Sequence, residues 1–176
     1  MDWEGKKYAG INIKWECAPV HKNRIARLAM EDYIDYLLIR VGHTKPINSQ
    51  LSPHLHTPIV YGATKQFTVN TNISAPLDVK GILRVQNIFS ALLYYGRAVN
   101  NKLMVALSAI GSQKSEATVD TSAAVDQLLD CIATYPHDGI TYRASDMILA
   151  AHSDASYLNK RLSRNRAGYH IILSKN

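Results

Sequence analysis

The apolar positions in the middle of the chain recur at every third or fourth residue. This spacing predicts three helices on which the apolar residues form one stripe, over residues 77–99, 101–110 and 118–134. Tyr135-Pro136 should end the last helix, because a residue that precedes proline avoids the helical region. A shorter helix is predicted within residues 30–42, where Gly42 is well placed to end it.

Toward both ends of the chain the pattern is typical of β-strands. Alternation over residues 7–16 predicts a strand, and residues 24–30 would complete a hairpin with it. Short apolar runs predict further strands near the C-terminal end, over residues 139–142, 147–153 and 167–173. The sequence therefore predicts an α+β fold, with a hairpin and helix first, three helices next, and a C-terminal sheet.

Residues 43–76 lack a sustained period and contain four prolines. Such a segment is typical of a long linker or of a loop that wraps the surface. This segment is the best candidate in the sequence for a domain boundary. The predicted organisation therefore has four parts, covering residues 1–42, 43–76, 77–136 and 137–176.

The composition is 47% apolar and 19% charged, as in a soluble globular protein. No apolar run reaches the ~20 residues that cross a bilayer, and the N-terminal residues have no signal-peptide pattern. We therefore expect an intracellular protein, cytoplasmic or nuclear, that does not enter a membrane. Cys17 and Cys131 lie far apart in sequence, so we interpret them as reduced packing residues.

The net charge of +6 is concentrated at the C-terminal end. After Asp154 there are five bases and no acid, whereas the rest of the chain has 15 bases and 14 acids. A basic segment suits contacts with phosphate groups. An ordinary solvated surface is the alternative, and the sequence leaves both interpretations open.

Three stretches, taken in order, resemble the copia-type retrotransposon reverse transcriptases. Residues 2–16 with 24–38 look like the primer-grip hairpin and thumb helix, with Tyr8-Ala9-Gly10-Ile11 at the core of the motif. Residues 85–112 are similar to the helices of the connection. Residues 140–169 look like the entry into ribonuclease H, marked by Ser153-Asp154-Ala155.

The sequence also departs from the family at several positions. Ala9 replaces the usual leucine, and Ser90-Ala91 replaces the usual glycine-serine. Ser156 and Tyr157 stand where the family has a second aspartate and a tryptophan.

The resemblance implies a fragment of an RNA-directed DNA polymerase/ribonuclease H that positions template–primer nucleic acid. Residues 1–42 would be the primer grip and thumb helix, 77–136 the helical connection, and 137–176 the start of a truncated ribonuclease H-like sheet. The implied partners are an RNA/DNA hybrid or template–primer duplex and the rest of the retroelement polyprotein. The alternatives are a non-catalytic retroelement remnant that acts as an interaction or scaffold protein, and a gene-model fragment without a function of its own.

Asp154 is the implied catalytic residue, as a ribonuclease H ligand for magnesium near the end of a strand. That chemistry needs several acids to hold two metal ions, and no acid follows Asp154. We therefore expect an incomplete site that is inactive alone. Magnesium would be a cofactor of the intact parent enzyme, and no cofactor is expected in this fragment.

The nucleic-acid contacts implied by the resemblance and the charge lie in two places, namely Tyr8, Gly10 and Lys14 in the hairpin, and Arg161, Arg164 and Arg166 in the basic segment. Each has a structural alternative. Tyr8 could pack into a core, Gly10 could mark a bulge, and the cations could be ordinary surface. His43, His54 and His56 lie in the proline-rich segment, and we interpret them as loop residues rather than metal ligands.

Overall fold

A computed structural model describes residues 5–17, 24–55, 74–160 and 164–174. The chain divides into two compact units. The first contains Met1–Thr57 and Ser74–Tyr142, and the second contains Pro58–Ile73 and Arg143–Asn176. The fold is α+β, as the sequence predicts.

In the described ranges, four α-helices lie close to their predicted positions. They are α1 (Tyr33–Val41), α2 (Val79–Ala98), α3 (Met104–Gly111) and α4 (Val119–Thr134), with a 3-10 turn at Asn101–Leu103. Local signals explain their ends. The Asp78 carboxylate accepts a 2.8 Å hydrogen bond from the Gly81 N–H and so caps α2. Gly42 adopts a left-handed conformation, with φ 64°, and ends α1.

The four helices share one core. Its fully buried side chains come from all of them, and include Ile34, Leu92, Leu107 and Leu128. Tyr95 is also fully buried, and its ring stacks on that of Tyr33 with centroids 5.9 Å apart. The predicted thumb helix and the predicted connection helices are therefore packed together in the first unit.

A four-stranded sheet belongs to the first unit, in the order β1 (Lys7–Tyr8), β2 (Ile11–Cys17), β3 (Arg24–Ala29) and β4 (Gly139–Arg143). The prediction of one strand over residues 7–16 was wrong. Ala9 and Gly10 have φ of 48° and 81°, and they reverse the chain between β1 and β2. Positive φ at both central residues is what the favoured two-residue hairpin turn requires.

β4 was predicted to belong with the C-terminal strands, and it lies next to β3 instead. Gly139 explains how the backbones approach so closely. A Cβ atom at this position would lie 2.4 Å from the Leu28 carbonyl oxygen. The C-terminal sheet therefore has two strands among the described residues, β5 (Ile148–Lys160) and β6 (Arg164–Ser174), which pair antiparallel. Both are longer than predicted.

Residues 43–55 pack along α4, as a loop wrapped on the surface. The His43 Nε2 atom lies 2.8 Å from the Asp130 carboxylate, and the Thr134 hydroxyl accepts a hydrogen bond from the Gln50 N–H at 3.0 Å. Residues 56–73 lie outside the described residues.

Candidate nucleic-acid interface

The turn between β1 and β2 is held against the helical core. The Tyr94 hydroxyl donates a hydrogen bond to the Ala9 carbonyl oxygen. Gly10 lies beside Met30, whose Cε atom is 3.7 Å from where a Cβ would stand. Gly10 is therefore a turn residue and does not mark a bulge. This anchoring fixes the hairpin relative to α2 before any ligand binds.

Two aromatic side chains of β1 and β2 are open to water. Tyr8 is 74% exposed and Trp15 is 60% exposed, so Tyr8 does not pack into a core. Tyr8 pairs with Ile11, and side chains two apart on a strand share a face, so Tyr8 and Trp15 lie on one face of the sheet. β1 and β2 thus present two exposed rings on the same side of the sheet.

The sequence did not identify Trp15 as a binding candidate, because alternation predicts only that it is an apolar strand position. Its neighbour across β2 and β3 is the small Ala26. Ile11 and Leu28, at the other end of that strand pair, are the residues that contact the helical core. Trp15 lies beyond this contact and is exposed. The sequence alone does not predict this exposure.

Lys14 lies on the opposite face of the sheet, directly across from Arg27. Its ammonium group donates to the Glu31 carboxylate, and the lysine side chain remains 62% exposed. This hydrogen bond and the positive charge of Lys14 lower the pKa of Glu31, with a further contribution from Arg27. Glu31 therefore partly neutralises the two positive charges of Lys14 and Arg27.

Asp154 lies in the middle of β5, not near the end of a strand as predicted. It is exposed and pairs with Gly168 in β6. The prediction ended the strand where the apolar alternation stops, but backbone pairing with β6 continues past that point. Within the described ranges no three His, Cys, Asp or Glu residues form a group that could hold a metal ion. These residues therefore do not fit a magnesium centre, and no reaction step is assigned to Asp154.

The other cationic candidates lie toward the closed end of the β5–β6 hairpin. The backbone of Arg166 pairs with Ser156, and that of Arg164 with Lys160. Arg161 lies outside the described residues. The register thus brings Arg164 and Lys160 to the same level of the hairpin, close to where the two strands join.

The predicted loop histidines have polar contacts with nearby side chains. His43 contacts Asp130, the His54 Nδ1 atom lies 3.1 Å from the Ser52 hydroxyl, and His56 lies outside the described residues.

In the part of the chain that the structure describes, no helix is both long enough and apolar enough to span a membrane.

Comparisons of this chain with protein-family models, with curated proteins and with solved structures give no match. Its function is therefore inferred from the geometry of the two sheets and from the motifs in the sequence.

Proposed function

We propose that this chain holds an RNA/DNA hybrid or template–primer duplex, as the primer-grip, thumb and connection part of a copia-type retrotransposon polymerase. The observation that carries the proposal is the anchored β1–β2 hairpin. It presents Tyr8 and Trp15 to solvent on one face and Lys14 on the other. Contacts of this kind position a nucleic acid without reading its sequence.

Anchoring supports the proposal energetically. A surface that is already ordered loses less conformational entropy when it binds. The hydrogen bond from Tyr94 to Ala9 and the contact of Gly10 with Met30 provide this order. Exposed tyrosine and tryptophan rings can stack on bases or pack on sugars, and lysines neutralise phosphates.

The basic end of the β5–β6 hairpin would add a second set of phosphate contacts. Its cations are Lys160, Arg161, Arg164 and Arg166. Because cations that contact phosphates act mainly through counterion release, this contribution should depend strongly on salt and little on base sequence.

The test is fluorescence anisotropy of a labelled RNA/DNA hybrid titrated with the full chain between about 50 and 200 mM salt. We expect Tyr8→Ala and Trp15→Ala each to weaken binding roughly fivefold or more, since an aromatic contact contributes ~1 kcal/mol or more. Tyr36→Ala is the matched control, because Tyr36 is 67% exposed but lies on α1. It should leave the affinity unchanged.

Charge variants test the phosphate contacts. Replacing both Arg164 and Arg166 with glutamine should reduce the slope of log affinity against log salt by up to about 0.9 for each phosphate that is no longer neutralised. Lys80→Gln removes one charge from exposed α2 surface and should leave the slope unchanged. Equal effects of the test and control variants, or no binding at low salt, would contradict the proposal.

The proposal gives Asp154 no catalytic role in this chain. Its cross-strand neighbour is a glycine, and the described residues contain no group of three His, Cys, Asp or Glu residues that could hold a metal ion. Purified chain should leave an RNA/DNA hybrid intact in magnesium or manganese. Cleavage that Asp154→Asn abolishes would overturn this part of the proposal.

A second candidate function is that of an interaction protein, favoured by the exposed apolar side chains of β5 and β6. Leu149, Tyr169 and Ile171 are all more than half exposed. Open strand edges with apolar faces favour association. A chain that binds no hybrid at low salt but associates, with Leu149→Lys and Ile171→Lys restoring the monomer, would favour this candidate.

A further inference from the structure

Two histidines face each other across the β5–β6 hairpin. His152 pairs directly with His170, and the antiparallel register is regular from Ile148↔Ser174 to Ser156↔Arg166. Directly opposed residues of an antiparallel pair project on the same face. Both histidines are exposed, so dissolved ions can reach them.

The surroundings of this pair leave room above it. On one side of the histidines along the same face is the pair of Ala150 with Ile172, and on the other is Asp154 with Gly168. On their own strands, His152 is next to the small Ala150 and His170 is next to Gly168, which has no side chain, while Ile172 and Asp154 take the other two positions. Nothing lies within 4 Å of where a Cβ atom of Gly168 would stand. The two imidazoles therefore have space to turn toward each other.

The spacing of opposed strand residues suits chelation. Their Cβ atoms lie about 4.5–5.5 Å apart. A tetrahedral zinc ion bonds imidazole nitrogens at about 2.0–2.1 Å, which places two such nitrogens about 3.3 Å from each other. Imidazoles that lean together from opposed positions can reach that separation.

We propose that His152 and His170 form a two-imidazole binding site for a late first-row divalent ion, with Zn²⁺, Ni²⁺ and Cu²⁺ as its ligand class. Imidazole nitrogen selects these ions over magnesium, which prefers oxygen ligands. Two protein ligands define the site, and water completes the coordination. This site differs from a ribonuclease H centre, which is built from carboxylates.

The bound ion would join β5 to β6. An ion that binds the paired hairpin and not the separated strands stabilises the pairing by mass action. No residue of β5 or β6 whose side chain is described is buried, so the hairpin has little packing of its own. Metal should therefore slow amide exchange in the hairpin much more than in the helices.

Isothermal titration of the full chain with zinc chloride provides the test, using His152→Asn, His170→Asn and the double variant. In a chelate site, the second ligand raises affinity on the order of 100-fold through its high effective concentration. Each single variant should therefore lose most of that affinity, and the double variant should lose little more. His54→Asn is the control for a histidine outside the pair.

A variant that moves one imidazole to the other face tests the geometry. Combining His152→Ala with Ala151→His keeps the number of histidines but reverses the direction of one side chain, because successive strand residues face opposite ways. We expect it to bind zinc as weakly as His152→Asn, with an unchanged circular dichroism spectrum. Asp154→Asn should change the affinity by no more than a few-fold.

Several results would overturn the proposal. They are wild-type affinity in the double variant, losses that add between the single variants, full binding by the face-reversed variant, and loss of binding caused by Asp154→Asn alone. Zinc-induced protection from amide exchange that is absent from β5 and β6 would also contradict it.

Discussion

The helical core buries apolar side chains, whereas the β5–β6 hairpin leaves the same kind of side chain exposed. Leu92 in α2 is fully buried, while Leu149 in β5 is 69% exposed. Four helices can surround an apolar side chain, whereas a two-stranded sheet leaves both of its faces open unless something covers them. Equal hydrophobicity in the sequence therefore does not mean an equal contribution to stability.

Because of this difference, the helices should determine stability, and the hairpin should determine the chemistry of the surface. The helices hold most of the buried residues of the described chain. The hairpin places its histidine pair and several apolar side chains at the surface. Substitutions should therefore affect stability in the first region and binding or association in the second.

The largest expected effect comes from a matched pair of leucine substitutions. Leu92→Ala should lower the free energy of unfolding by about 3–5 kcal/mol, because it removes buried methyl groups and leaves a cavity. Leu149→Ala should change it by less than about 0.5 kcal/mol, as expected at an exposed site. Urea unfolding followed by circular dichroism at the helix band measures both. A Leu149→Ala loss as large as that of Leu92→Ala would show that the two regions do not differ in this way.

A glycine pair should give the next largest effect. Gly139→Ala would place a Cβ atom 2.4 Å from the Leu28 carbonyl oxygen, so β3 and β4 must separate. We expect a destabilisation of about 1–3 kcal/mol, as for other overpacked sites. Gly168→Ala in β6 meets nothing within 4 Å and should be neutral or slightly stabilising. The same urea measurement applies, and equal effects would contradict the strand order.

The sequence predicted the helices well for a physical reason. A stripe of apolar residues at helical spacing, with Asp78 before one helix and Gly42 after another, specifies both the element and its ends. Strand partners are not specified in this way. β4 pairs with β3 across more than a hundred residues of chain, and nothing local in GITYR indicates that partner.

The candidate site was predicted only in part. Tyr8, Gly10 and Lys14 came from the resemblance and charge, but the turn at Ala9 and Gly10 and the exposure of Trp15 depend on how the sheet meets the helices. The pairing of His152 with His170 depends on the register of the β5–β6 hairpin, which shifts between Ser156 and Lys160 and is not visible in the sequence.

Helix capping should have a smaller effect than core packing. Asp78→Ala removes the acceptor for the Gly81 N–H, and we expect a loss of about 1 kcal/mol in the free energy of unfolding. Asp154→Ala, the matched change in β5, should alter it by less than about 0.5 kcal/mol. Thermal unfolding of the two variants side by side separates these outcomes. A larger loss for Asp154→Ala would show that the hairpin contributes more to stability than we propose.

The smallest expected effect is electrostatic and lies beside the sheet of the first unit. The Lys14 ammonium lowers the pKa of Glu31 from its ordinary value of 4.5. A carboxyl group whose pKa is lower in the folded state stabilises the fold above its unfolded pKa, and this stabilisation is lost as the pH falls through the folded pKa. Lys14→Met should return the Glu31 pKa toward 4.5 in a carboxyl-carbon NMR titration. An unchanged pKa would show that the contact does not form in solution.

Exposed β-hairpins, rather than the helices, are proposed to contact nucleic acid. Amide hydrogen exchange of the full chain, with and without a saturating RNA/DNA hybrid, distinguishes the two regions in a single experiment. We predict slower exchange in β1 and β2 and near the closed end of the β5–β6 hairpin, with unchanged exchange in α3 and α4. Protection confined to the helices, or no protection at saturation, would contradict the proposed role of the hairpins.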